Sequence, residues 1–109
     1  MENTVRKMLI EVNDSVSLIE ETLQGIGYED FRNDRFKKII VVENFEKIID
    51  KFAQIPDELQ DEIHGIPWEE IQHLSDKFLN SEYEIDNQEV WKTAKSQLKK
   101  IKTLISSFI

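Results

Sequence analysis

Apolar residues recur along most of the chain at steps of three and four, the spacing of a helix that buries one face. Val5, Leu9, Val12, Val16, Ile19 and Leu23 form the first such stripe, and Asn3 or Thr4 stands where a cap is needed. Gly25-Ile26-Gly27 closes this helix, placed at about 4–24. The run YEDFRND, Tyr28 to Asp34, suits a short helical turn with Tyr28 and Phe31 packed inward. A second long helix is predicted at about 34–54, with Phe36, Ile39, Ile40, Phe45, Ile48, Ile49 and Phe52 as its core stripe. Val41 and Val42 widen its apolar sector. The branched run 39–42 also suits a strand, but the flanking helical spacing and the length favour a helix. A helix apolar on more than one face is either central in its bundle or sits at a subunit contact.

Pro56 ends that helix, and PDELQDEI predicts a short third one with acids in its first turn and Gly65 as its stop. A fourth begins near Pro67 and carries Trp68, Ile71, Leu74 and Phe78 on one face, breaking at Leu79-Asn80-Ser81. After a polar loop the last helix, at about 87–107, carries Trp91, Ala94, Leu98, Ile101, Ile105 and Phe108. No stretch has the alternation of a strand. The pattern predicts an all-α, largely antiparallel bundle of about five helices in a single domain, residues 1–109.

Composition agrees with a folded, helical, soluble chain: 39% hydrophobic and 33% charged residues, three Gly and two Pro. Without cysteine there is no disulfide, thiolate nucleophile or Cys-based zinc site. No apolar run approaches the ~18 residues of a membrane span, so a cytoplasmic location is expected.

Charge is uneven. Residues 57–89 hold 11 of the 22 acids and a single base, Lys77, so this segment stands at −10 and the rest of the chain at +2. Such a surface repels phosphate backbones, and neither RNA nor DNA is expected as a partner. The basic exception is the last helix, where Lys92, Lys95, Lys99, Lys100 and Lys102 stand without an acid. They read as a solvated helix face near a C-terminal dipole end rather than as a binding stripe.

Catalytic groups are sparse. Glu69 and His73 share a helical face, but two ligands without a third make a poor metal site, so no metal is expected. His64, just before Gly65, suits a helix end whose free carbonyls it can meet. The carboxylate pairs Glu69/Glu70 and Glu82/Glu84 have no apolar surroundings in sequence that would raise a pKa. There is no Gly-rich phosphate loop, and no cofactor is expected.

The pieces YEDF (28–31), IPDELQDEIHGIPWEEI (55–71) and DNQEVW (86–91) together resemble the HEPN superfamily in its HepT-like branch, the toxin half of paired HEPN and minimal-nucleotidyltransferase systems. The resemblance implies a helical bundle, a homodimer with a cleft between its subunits, and RNA cleavage there. It also implies an Arg, usually followed by Asn, a His a few residues further on, and commonly a Tyr two residues after the His. A guanidinium matches a phosphoryl group, and an imidazole moves protons near neutral pH. On that frame this chain has Ser75 for the Arg, Asp76 for the Asn, Asn80 for the His and Glu82 for the Tyr, with Tyr83 one position out of register.

The resemblance therefore supports the fold and removes the chemistry. The expectation is a HepT-like protein without RNase activity, a homodimeric binding module that pairs with a nucleotidyltransferase. Two other readings remain: a ribonuclease whose catalytic groups have moved, to His73 and Lys77, and a helical adaptor with an unrelated partner. The apolar width at Val41 and Val42 and the apolar end Leu104, Ile105, Phe108 and Ile109 are the surfaces expected at the subunit contact.

Overall fold

The first apolar stripe becomes the buried face of helix α1, Asn3–Leu23: Val5, Leu9, Val12, Val16, Ile19 and Leu23 are all at most 3% exposed. The computed structural model describes residues 3–63, 65–66 and 85–109. Helix α1 stops where expected, and Gly25 follows at φ 77°, the left-handed conformation that lets the chain leave a helix. Helix α2, Tyr28–Asn33, starts from Gly27, whose N–H donates to Asp30 Oδ2 at 3.1 Å. It buries Phe31. Asp34 then caps helix α3, Arg35–Ala53, by accepting the Lys37 N–H at 3.1 Å, one of the donors a helix start leaves unpaired.

Helices α1 and α3 are the principal packed pair, and the Lys51 Nζ–Glu11 Oε2 contact at 2.8 Å marks their antiparallel register. The face that α3 buries differs from the expected stripe. Val41, Phe45, Ile48 and Phe52 line the core, whereas Phe36 is 78% exposed, and Ile39 and Ile40 are exposed too. The reason is helical phase. Phe36 precedes Phe45 by about two and a half turns, so the two side chains leave opposite faces of one helix. Val41 is fully buried and Val42 packs against the core, so neither widens an outer surface. Asn44 joins the buried face with its amide satisfied, Nδ2 donating to Ile40 O at 2.7 Å.

After Pro56, helix α4 is a single turn, Asp57–Gln60, shorter than PDELQDEI suggests, and the chain turns on through Ile63 before Gly65. Ile55, Ile63 and Ile66 are buried and hold this irregular stretch to the core. The expected fourth helix, from Pro67, lies outside the described residues.

The last helix is broken once, into α5, Asn87–Ser96, and α6, Leu98–Ser106. At the break Gln97 still donates to Thr93 O at 2.9 Å and accepts from Ile101 N–H at 3.1 Å, so the chain bends without losing its course. Val90, Ala94, Leu98, Ile101 and Ile105 line one buried side, and Lys102 Nζ reaches Glu20 Oε1 of α1 at 3.1 Å. At the apolar C-terminal end Ile105 is fully buried, whereas Leu104, Phe108 and Ile109 are half-buried against the same core. The protein is an all-α bundle. Among the described residues there is no strand, and no helix is long and apolar enough to cross a membrane.

Candidate functional site

Ser75, Asp76, Asn80 and Glu82 lie outside the described residues, as do Glu69, Glu70, His73, Lys77, Tyr83, Glu84 and His64. What the structure describes is the frame on either side of them, and that frame is built from the sequence pieces that stood out.

On one side is Trp91. Its ring meets Phe31 at a centroid distance of 5.5 Å, tilted by 38°, and Tyr28 edge-on at 6.0 Å. YEDF and DNQEVW, far apart in sequence, thus close into one aromatic cluster joining α2 to α5. Offset and edge-on geometries are those in which ring quadrupoles attract. Lys95, one turn on from Trp91, lays its ammonium 4.7 Å above the Trp91 ring centroid. This contact was not anticipated, although the i, i+4 spacing of an aromatic and a lysine was the available signal.

Where the chain re-enters the described region, Asp86 caps α5, its Oδ1 accepting the Glu89 N–H at 3.1 Å. Next to it the Asn87 side-chain oxygen is buried with no hydrogen-bond partner among the described residues. Val90 then drops into the core with no exposed surface. On the other side, Ile66 is buried and Gly65 takes φ 89°, pressed against Leu104 of α6. Both ends of the stretch holding the site positions are therefore fastened to the same bundle.

Beside Gly65 runs an open groove of about 730 Å³, bordered by Lys95, Lys99, Lys100 and Thr103. The Thr103 hydroxyl donates to Lys99 O at 2.9 Å, and Ser96 does the same to Lys92 O at 2.8 Å. Their donors are thus taken by the helix itself, leaving diffuse positive charge. No cluster of three or more potential metal-ligating side chains occurs among the described residues.

The family model described as "Ribonuclease HepT-like" matches residues 12–108. The chain belongs to the HepT-like ribonuclease family. Among its relatives is "Probable ribonuclease HepT" of Thermococcus cleftensis, 28% identical over 102 residues, covering 94% of this chain and 93% of that protein. A protein of Methanocaldococcus jannaschii named as a candidate RNase is 26% identical over 98 residues, 90% of this chain and 81% of its own length. A third, from Caldanaerobacter subterraneus subsp. tengcongensis and also named as a candidate RNase, is 22% identical over 106 residues, 97% and 95% of the two chains. No solved structure matches the chain at a significant level. The matched span of the HepT-like family takes in the aromatic cluster, the Asp86 cap and the whole stretch between Ile66 and Ile85.

Proposed function

We propose that this HepT-like protein has lost RNase activity and serves as a dimeric binding module, with a minimal nucleotidyltransferase as its partner. One observation carries the reading: Ser75 and Asn80 stand where the resemblance places the phosphate-binding Arg and the proton-transferring His. A phosphoryl transition state gathers negative charge, and positioned cations or donors commonly supply several kcal/mol of its stabilisation. A serine hydroxyl brings no charge. An asparagine amide exchanges no proton near pH 7, so acid–base assistance of about 10²–10⁴-fold goes as well. Asp76, Glu82, Glu84 and Asp86 add negative charge in the same stretch of sequence.

The aromatic cluster supports the reading from the other direction. Trp91 packs against both Tyr28 and Phe31, so the sequence pieces that carry the resemblance are joined in the fold while the reactive residue types are replaced in the sequence.

The test is an RNase assay on the wild-type protein beside Ser75→Arg/Asn80→His/Glu82→Tyr. Wild type is expected to stay at background, with cleavage appearing in the triple variant. Wild-type cleavage that survives stringent purification and disappears on His73→Ala would overturn the reading in favour of a moved site. Co-purification from the native host reads out the partner: a retained nucleotidyltransferase supports the pairing, and an unrelated protein contradicts it.

A further inference from the structure

We propose that the lysine-lined groove along the last helix, α5 and α6, is where this protein takes up an acidic amphipathic helix of a partner protein. The reading above names a partner without giving it a place, and this surface stands whatever that partner's own activity is.

The first observation is charge. In a chain of net charge −8, residues 90–109 carry five lysines and no acid. Of these, only Lys102 enters an ion pair among the described residues, with Glu20 at 3.1 Å. Lys92, Lys95, Lys99 and Lys100 are exposed, and no carboxylate among the described residues pairs with them. Lys95 is moreover held over the Trp91 ring, at 4.7 Å from its centroid, so its ammonium has a fixed place before any partner arrives.

The second observation is shape. A solvated lysine face needs no depression beside it, but Lys95, Lys99 and Lys100 border an open groove of about 730 Å³. Lys95 and Lys99 follow one another at one helical turn, about 6 Å along the axis, and Lys100 and Leu104 form the neighbouring row. Leu104 is half-buried and gives the groove an apolar element, and Gly65 beside it has no side chain to fill the space. Rows of side chains with a groove between them are what a second helix packs into. Carboxylates at i and i+4 of that helix repeat at the same step of about 6 Å as Lys95 and Lys99, and an apolar residue between them meets Leu104.

The surroundings select a protein segment over a nucleic-acid strand. No aromatic ring lines the groove, and Trp91 already carries Phe31, Tyr28 and Lys95, so bases find nothing to stack on. The hydroxyls of Ser96 and Thr103 donate to their own helix and are spent as phosphate donors. Asp57, Glu58, Asp61 and Glu62, a few residues before Gly65, are exposed and oppose a long polyanion that runs past the groove. A short acidic helix ends before it meets them.

The experiment titrates the full chain into a labelled synthetic peptide of about four helical turns, with Glu pairs at i, i+4 on one face and leucines beside them, and reads fluorescence anisotropy. Wild type is expected to bind it, more weakly as salt is raised. Lys99→Glu/Lys100→Glu is expected to lose at least about tenfold in affinity through like-charge contacts, and Lys99→Arg/Lys100→Arg to keep it. The doubly reversed variant should instead bind the same peptide with Lys in place of Glu. Both positions are exposed, and far-UV circular dichroism follows the fold. Exchanging the peptide's leucines for serine should also weaken binding, which a purely ionic contact would not show. Peptide binding that is absent in wild type, or indifferent to the reversal of Lys99 and Lys100, overturns the proposal. A single-stranded RNA of equal charge is expected to bind at least about tenfold more weakly. RNA that binds more tightly than the peptide, and is lost in the same variant, overturns it in favour of a nucleic-acid groove.

Discussion

Gly65 and Leu104 meet so closely that a β-carbon on the glycine would come within 2.9 Å of Leu104 Cδ2. The glycine also holds φ 89°, where a side chain is strained whatever space it finds. Gly25, at φ 77°, has the same backbone demand with open space around it. Gly25→Ala is therefore expected to cost about 1–2 kcal/mol, the left-handed penalty alone. Gly65→Ala should cost that and somewhat more, because Leu104 must give way. Urea denaturation of the two variants separates the terms, and Leu104→Ala in the Gly65→Ala background should bring the two glycines level. Equal losses in the single variants would show that Leu104 moves aside freely.

Phe31 and Phe36 lie close in sequence and differ almost completely in exposure, 0% against 78%. Phe31→Ala should destabilise the chain by about 3–5 kcal/mol, since it empties space inside a close-packed core. Phe36→Ala should stay within about 0.5 kcal/mol when measured on the monomer, as surface substitutions do. A large effect of Phe36→Ala under monomeric conditions would return this residue to the core where its spacing first placed it.

Trp91 ties α2 to α5, and its replacement should be felt at both ends. Trp91→Ala is expected to cost about 3 kcal/mol or more, and Trp91→Phe markedly less. Lys95→Met removes the cation from above the ring and should cost roughly 0.5–1 kcal/mol. In the Trp91→Ala background the same lysine change should be close to neutral. Chemical denaturation in a double-mutant cycle reads the coupling directly, and a cycle that closes to zero would mean the contact contributes nothing.

The helices of this bundle were legible because burial follows a period that sequence displays. In α1 every residue of the stripe from Val5 to Leu23 is buried, and the glycine stop falls where it was drawn. In α3 the same reasoning lost its phase, because apolar residues occupy both faces and periodicity cannot say which one meets the core. The buried choice, through Val41 and Phe45, is made by packing against α1, a contact between segments that no local window contains. The bend at Gln97 was hidden for a related reason. Nothing about a glutamine forbids a straight helix, and the deviation comes from how the two halves settle on their neighbours. The frame of the candidate site was legible as composition, in YEDF and DNQEVW, but that these two meet through their rings is a tertiary fact. The contact of Lys95 with Trp91 was within reach of helical spacing and was passed over.

Asp86 gives the start of α5 a permanent tenant. The amide hydrogens at the first turn of a helix point outward and favour an anion, which is how many proteins seat phosphate without a positively charged side chain. Here the chain's own carboxylate takes the Glu89 N–H at 3.1 Å. A phosphodiester reaching that helix end would meet a fixed negative neighbour where it would otherwise find an electropositive socket. The last helix thus reaches the segment before it with part of its polarity already answered from within.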